Sequence, residues 1–385
     1  MMNIAYINAD PGIPSYGTKG SSIHVQEIIR SMINNGARVD LYTPRVDGNT
    51  PSGLEEVKII KLPDAPKGDL ETRENLCIDM NSDLLRYLRD SKKYDLIYER
   101  YSLWSYSAIE YAKQNKIPSV LEINAPLIEE EKKYRKLINE DTALGIAKKN
   151  FNNSPVLTVV SDPIRKYVQR FLNNDKEVYV FPNGVNTKKF NNAKQPELGN
   201  IKGKFVIGFV GSLKKWHGVS MLIDAFELFL KRNPQSILLI VGDSKERANL
   251  ENQINSKGIS DSVILTGSVE HSQIPGYLAS LDIAVAPYLD DQNFYFSPLK
   301  IYEYMAAGVP VLASDVKQIQ SIVKDFENGK LFAPGNVGSL CDNLQFLKDN
   351  KDISQKIGKE GKESVKNNSW DAIAKRIIDI VKKLN

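Results

Sequence analysis

Cysteine and histidine are scarce in this chain of 385 residues, with 2 of the first and 3 of the second. Cys77 and Cys341 lie far apart with no second cysteine near either, which excludes a zinc ligand set or a disulfide framework. Each sits in an apolar-periodic stretch and reads as a buried thiol. His24, His217 and His271 do not cluster in the sequence, so no metal centre is visible among them. No apolar run approaches the ~18 residues that span a bilayer. The opening residues, MMNIAYINADPG, lack a basic leader and soon reach a turn, which predicts a strand rather than a signal peptide. An excess of one charge is missing too. Lys+Arg 51 against Asp+Glu 47 gives +4, too little for a dedicated nucleic-acid binder. The expectation is a soluble protein in a reducing compartment, the cytoplasm, with peripheral contact at a membrane surface left open.

What is present is the balance of an ordinary folded protein, 42% hydrophobic and 25% charged, long enough for two sizeable cores. Short apolar runs alternate with longer helical patterns. Asn3–Ala9, Arg38–Thr43, residues 56–63, Asp95–Glu99, Pro118–Ile123 and Val156–Val160 read as strands. Helical patterns follow residue 22 and fill 72–91. The pattern restarts with KFVIGFVGS (204–212), then a helix from about 217 to 231, then strands at 236–243, 263–269, 282–288 and 310–315. Strands alternating with helices predict parallel sheets covered on both faces. The polar stretch 183–204 has few apolar anchors and reads as the linker. SWDAIAKRIIDIVKKL (369–384) is an amphipathic helix. The expected architecture is α/β, two doubly wound Rossmann-like domains facing across a cleft. The first covers 1–185 and is joined by the C-terminal helix 369–385. The second covers 200–368. Ligands of such sheets bind beyond the carboxyl ends of the strands.

The candidate sites all lie at such ends. The loop 10–22 holds Gly12, Gly17 and Gly20, and its backbone could approach a phosphate or a sugar. It carries neither the complete dinucleotide fingerprint nor an NTPase loop. Gly211-Ser212-Leu213-Lys214-Lys215-Trp216-His217-Gly218 leaves the first strand of the second half. It sets two lysines and an imidazole where the next helix begins, which suits a pyrophosphate or a solvated basic turn. The segment Asn293 to Gly308 is the richest. Ser297 reads as an N-cap with Pro298 at N1. Lys300 and Glu303 share a helix face. The lysine can meet a phosphate and the carboxylate can accept both hydroxyl protons of a ribose diol, or the two form a surface pair. His24 and His217 lie at strand ends. His271, in the polar turn SVEHSQIP, reads as surface.

In combination, these segments resemble glycosyltransferase family 4, the retaining nucleotide-sugar glycosyltransferases of GT-B fold. The resemblance covers essentially the whole chain. It is carried by the glycine loop before His24 and Val25, and by Phe181-Pro182-Asn183-Gly184-Val185-Asn186. In the second half it is carried by Phe209-Val210-Gly211-Ser212, Trp216-His217-Gly218, Gly242-Asp243 and Gly267-Ser268-Val269. Ser297-Pro298-Leu299-Lys300 and Glu303-Tyr304-Met305-Ala306-Ala307-Gly308-Val309-Pro310-Val311 complete it.

The resemblance implies a donor site in the second domain. Glu303 is similar to the second glutamate of the family's E-x7-E motif, which holds the ribose hydroxyls. Backbone donors at Ser297, Leu299 beside Pro298, and Lys300 would approach the diphosphate and sugar. Gly211, Ser212, His217 and Gly242 fall in donor-binding segments. Val269 matches a position where main-chain atoms meet the nucleobase, and Gly20 one whose N–H faces the phosphate. There are departures. The first glutamate of the motif is Tyr295. The family's diphosphate arginine and lysine map onto Ser212 and His217, so Lys214, Lys215 and Lys300 are expected to neutralise the diphosphate. The histidine many relatives have after the strand PSVLEIN is here Asn124, which can assist only by hydrogen bonding. Asn124 and His24 complete the catalytic candidates.

Glu99, Arg100, Tyr101, Glu122 and Asn124, at two strand ends of the first domain, are the acceptor-side candidates. The implied activity is a retaining hexosyltransferase. The donor is a nucleoside diphosphate sugar, with a UDP-hexose such as UDP-glucose as the first guess. The acceptor is a saccharide or lipid-linked saccharide, and the role lies in polysaccharide or glycoconjugate synthesis. No cofactor and no metal is expected, since no Asp-x-Asp site is found at a matching strand end. A sugar-nucleotide epimerase of the same fold and a two-lobed sugar-binding protein without catalysis are the competing classes.

Overall fold

The computed structural model describes residues 1–384 except 66, 67, 200, 290–294 and 296. Asn293, Phe294 and Phe296 of the aromatic loop therefore lie outside the described residues. The chain divides into two compact units. One comprises Met1–Asn183, Tyr295–Ser297 and Trp370–Asn385; the other comprises Gly184–Phe294 and Pro298–Ser369.

The first unit is built on seven parallel strands: β1 (Met2–Asn8), β2 (Ala37–Thr43), β3 (Lys58–Lys61), β4 (Leu96–Arg100), β5 (Ser119–Ile123), β6 (Val156–Val159) and β7 (Val178–Val180). Their order is β3-β2-β1-β4-β5-β6-β7. The direction of winding reverses between β1 and β4, the kind of switch point where such sheets hold ligands. β1 is almost fully buried because helices cover both faces, which is why it reads as an apolar run rather than an alternation. The helix Gly20–Asn34 buries Ile23, Val25, Ile28, Ile29 and Met32. The helix Trp370–Lys382 packs against it. Its buried Trp370, Ile373, Ala374, Ile377, Ile378 and Val381 recur at helical spacing.

The second unit has six parallel strands: β8 (Phe205–Val210), β9 (Ser236–Val241), β10 (Val263–Leu265), β11 (Ile283–Ala286), β12 (Val311–Ser314) and β13 (Lys330–Phe332). The order β10-β9-β8-β11-β12-β13 places the switch between β8 and β11. Its core joins Ile207 and Phe209 of β8 to Leu222, Phe226 and Phe229 of the helix Val219–Arg232 and to Leu340 and Leu344.

Two expectations are corrected, and two strands were not foreseen. The stretch from Gly184 onward is not a loose linker. Val185 and Phe190 are buried, the Val185 N–H donates to the Asn368 carbonyl at 3.0 Å, and the chain is strapped to the second unit. The run 263–269 is a strand only over Val263–Leu265. Beyond it Gly267 makes a single antiparallel bridge to Gly242. The three-residue strands β7 and β13 carry too few side chains for an alternation to show.

The carboxyl ends of β8 and β9 meet closely. Gly242 has φ +139, and a Cβ there would lie 1.9 Å from the Gly211 carbonyl oxygen. Only glycine permits this crossing. Gly242→Ala is expected to destabilise the second unit by about 2–4 kcal/mol, from backbone strain plus overpacking, read by denaturant unfolding.

Candidate nucleotide-binding and acceptor sites

The helix Leu299–Ala307 begins at the switch point of the second sheet. Its cap is Pro298, without a side-chain cap. Ser297, expected to cap, is engaged elsewhere: its hydroxyl accepts from the Asn183 N–H at 3.0 Å and its carbonyl from Asn183 Nδ2 at 2.6 Å. The Ile301 N–H of the first turn donates to the Pro298 carbonyl at 3.2 Å, and the N–H groups of Leu299 and Lys300, which precede the intrahelical ladder, favour an anion.

Lys300 extends from that first turn toward the end of β8. Its Nζ lies 4.3 Å from the centroid of the Phe209 ring and 5.0 Å from that of Tyr288. The stem is partly exposed, but the ammonium is shut off from solvent and has no hydrogen-bond partner among the described residues. Burial pushes its pKa down to about 7, opposed by the Glu303 carboxylate. A Cβ on Gly211 would stand 3.1 Å from Nζ, so the missing side chain keeps the space over the ammonium open. A buried cation facing rings and backbone is under-compensated.

The neighbouring basic groups differ from it. Lys214 and Lys215 are exposed. The Lys214 Nζ sits 4.6 Å from the Trp216 ring centroid, and the Lys215 Nζ is 3.9 Å from Glu246. Ser212 is exposed. His217 donates from Nδ1 to the Ser212 carbonyl at 2.5 Å. Burial, then the charges of Lys300 and Lys214, hold its pKa at about 3. The ring is neutral, with Nε2 as an acceptor, and brings no charge of its own. The Gly242 N–H donates to the Gly267 carbonyl at 2.9 Å. Val269 follows, half-buried.

Glu303 lies one turn from Lys300, and its Oε1 accepts from His271 Nε2 at 2.8 Å. Reading His271 as surface is thus corrected: the short turn after β10 delivers it to the expected ribose carboxylate. Phe209 and Tyr288 were also missed. Both belong to apolar strand ends, and nothing in the sequence says that they frame a lysine.

In the first unit, the ends of β4 and β5 bring Glu99, Arg100, Tyr101 and Glu122 together, all buried. Glu122 Oε1 meets His24 Nε2 at 2.7 Å, and Oε2 lies 3.8 Å from Arg100. Burial works against the charge of Glu122, but His24 and Arg100 outweigh it and hold the carboxyl at about 2. His24 Nδ1 is 2.7 Å from Asn183 Oδ1. The amide is oriented by its donation to the Ser297 carbonyl, so both ring nitrogens of His24 face oxygen atoms. The ring is held from both sides and also meets Trp370 edge-on at 5.0 Å between centroids. Glu99 differs. Neither carboxylate oxygen has a hydrogen-bond partner, and burial raises its pKa to about 7 against a weak opposing effect of Ser105. Tyr101 packs edge-on against Phe151 in the core rather than lining an open strand end. Asn124, past β5, has a buried Nδ2 with no partner. Gly20 is exposed at the start of its helix. Tyr295, in the place of the family's first glutamate, packs on the core of the first unit, and its carbonyl accepts from the Ser161 hydroxyl. Among the described residues, no three His, Cys, Asp or Glu side chains gather as a metal site would require, and no helix is long and apolar enough to cross a membrane.

Comparison with known proteins places this geometry. The family described as Glycosyltransferase Family 4 matches residues 18–189, and the one described as Glycosyl transferases group 1 matches 190–364. The chain belongs to the glycosyltransferases. Among relatives of this glycosyltransferase is a phosphatidyl-myo-inositol mannosyltransferase of Mycobacterium leprae, 29% identical over 225 residues, which are 57% of each chain. The match thus spans little more than half of that relative. An alpha-monoglucosyldiacylglycerol synthase of Acholeplasma laidlawii is 25% identical over 326 residues, 78% of this chain and 79% of that one. The fold is that of GT-B glycosyltransferases. A sucrose-phosphate synthase of Thermosynechococcus elongatus superposes with a TM-score of 0.75 at 21% identity, over 100% of this chain and 99% of that one. HepE of Anabaena, solved with UDP and glucose, superposes with a TM-score of 0.75 at 19% identity over 100% of both chains.

The Glu122 carboxyl, depressed from its ordinary 4.5 to about 2, contributes stability that is complete above pH 4.5 and is lost as pH falls through about 2. Glu122→Gln is expected to flatten the acid limb of stability between these values, followed by circular dichroism.

Proposed function

We propose that this glycosyltransferase moves a hexose from a nucleoside diphosphate sugar, with retention of configuration, to a saccharide or lipid-linked saccharide. The observation that carries the reading is the buried ammonium of Lys300, unpartnered among the described residues, beside the start of a helix at the switch point of the second sheet. A diphosphate supplies the anion that both features lack. Lys300 takes over from the arginine and lysine that the family places where this chain has Ser212 and neutral His217. Glu303 accepts from the ribose hydroxyls, and Val269 lies where the nucleobase is expected. UDP-glucose is the first donor to test, because HepE was also solved with UDP-glucose. A lipid-linked acceptor is supported by the names of the two relatives above, both of which act on lipids.

In the reaction, the bond between the anomeric carbon and the diphosphate oxygen breaks, and the electron pair leaves with the diphosphate. The acceptor oxygen bonds the same carbon on the same face, and its proton passes to the departing diphosphate. The barrier lies in the charge that develops on the leaving oxygens. Preorganised donors meet that charge without reorganisation, and Lys300 with the helix N–H groups fills that role. The reading requires no metal, so chelation by EDTA is expected to leave turnover unchanged.

The test incubates the full chain with UDP-glucose and candidate acceptors and follows products by NMR. Transfer with retention is expected. An epimer formed from the donor alone, or tight sugar binding without turnover, would overturn it in favour of the competing classes. Lys300→Met is expected to remove an uncompensated buried charge and stabilise the empty protein by up to about 4 kcal/mol, while nucleoside diphosphate affinity falls by at least about tenfold, the lower end for a lost charged hydrogen bond. In the unliganded protein Lys300 holds its proton less tightly than in the unfolded chain. Its contribution therefore adds stability as pH rises from about 7 to 10.5. Diphosphate binding at pH 8 is expected to take up a proton, measured by calorimetry in buffers of different ionisation enthalpy.

A further inference from the structure

The donor-site carboxylate is held from outside its own helix. Glu303 Oε1 accepts from His271 Nε2 at 2.8 Å, with the two side chains 15% and 28% exposed respectively. We infer that His271 is a positioning residue for Glu303. It fixes the carboxylate in one orientation and leaves Oε2, with the remaining lone pair of Oε1, for the two hydroxyls of the ribose. The inference rests on the donor-site reading given above.

The turn that carries His271 is built for placement. It spans His271–Gln273 and is closed by reciprocal bonds, with the Glu270 side chain accepting from the Gln273 backbone and the Gln273 side chain from the Glu270 backbone. On one side the bridge between Gly242 and Gly267 ties the preceding residues to the end of β9. On the other, Ile274, Pro275, Gly276 and Leu278 are buried. Gly276 packs so closely that an added Cβ would stand 2.3 Å from the Lys194 carbonyl oxygen. The imidazole is therefore presented from a backbone fixed at both ends. The contact needs only an N–H at Nε2, whichever charge the ring carries. Without it, Glu303 would keep its rotamer freedom and could swing toward the Lys300 charge on its own helix face. Ordering the carboxylate before the nucleoside arrives removes an entropic cost from binding.

The test uses isothermal titration calorimetry on the full chain, with UDP, GDP and ADP as nucleoside probes and inorganic pyrophosphate as the probe without a ribose. His271→Ala is expected to weaken the nucleoside diphosphate that the wild type binds best by about tenfold and to leave pyrophosphate unchanged. His271→Gln, which places an amide N–H at similar reach, restores the affinity. In a Glu303→Ala background, His271→Ala brings no further loss. An equal loss for pyrophosphate, a further loss in the Glu303→Ala background, or an unchanged affinity in His271→Ala overturns the inference alone. If the wild type binds none of the three nucleotides, the donor-site reading falls and this inference falls with it.

Discussion

A lysine ammonium held away from water with only aromatic faces beside it is a cost the second unit carries in its unliganded state. Among the described residues, Lys300 Nζ has no hydrogen-bond partner. Phe209 and Tyr288 soften the penalty through their ring faces but do not cancel it. The surrounding features follow from this constraint. Gly211 keeps the space above the ammonium open, and Gly242 lets the next strand end pass beneath the Gly211 carbonyl. His217 is kept neutral by its burial and, after that, by the same positive charge. Glu303 is turned toward His271 rather than locked in an ion pair with the lysine one turn away.

The first unit treats buried charge in the opposite way. Glu122 is met from two sides by His24 and Arg100, and the ring of His24 is met in turn by Asn183. Each partner answers the desolvation of the other, as a buried polar network must. Among the described residues, neither carboxylate oxygen of Glu99, one strand away, has a hydrogen bond. Burial pushes that carboxyl up to about 7, which makes it the chemically undecided group of the first unit.

Much of this architecture was legible in the sequence because both sheets are parallel and covered. Buried parallel strands such as β1, β5 and β9 appear as short apolar runs, and the helices between them keep their own period. That Lys300 and Glu303 share one helix face was legible because they fall at fixed spacing after Pro298. What stayed hidden depends on distant contacts. The Ser297 hydroxyl, free to cap by local rules, is taken by Asn183. His271 lies in a turn of entirely polar appearance, and its partner is thirty-two residues away. The stretch after Gly184 has the composition of a loose linker, yet Val185 and Phe190 are enough to pin it. Lys300 could be named as a cation, but its isolation could not, since the rings that enclose it are ordinary strand-end aromatics.

The environment of His24 bears on how the chain comes to be folded. Its ring is bonded to Glu122 and Asn183 and rests on Trp370, and Asn183 holds Ser297. Five segments scattered from the first helix to the last must be present before that pocket is complete. During synthesis the first unit therefore stays unfinished, with one face of its opening helix bare, until residues 370–384 have been made. Such distant pairing slows folding and leaves apolar surface open in the interval. The nascent chain is then most in need of a chaperone at its amino-terminal half, even though that half leaves the ribosome first.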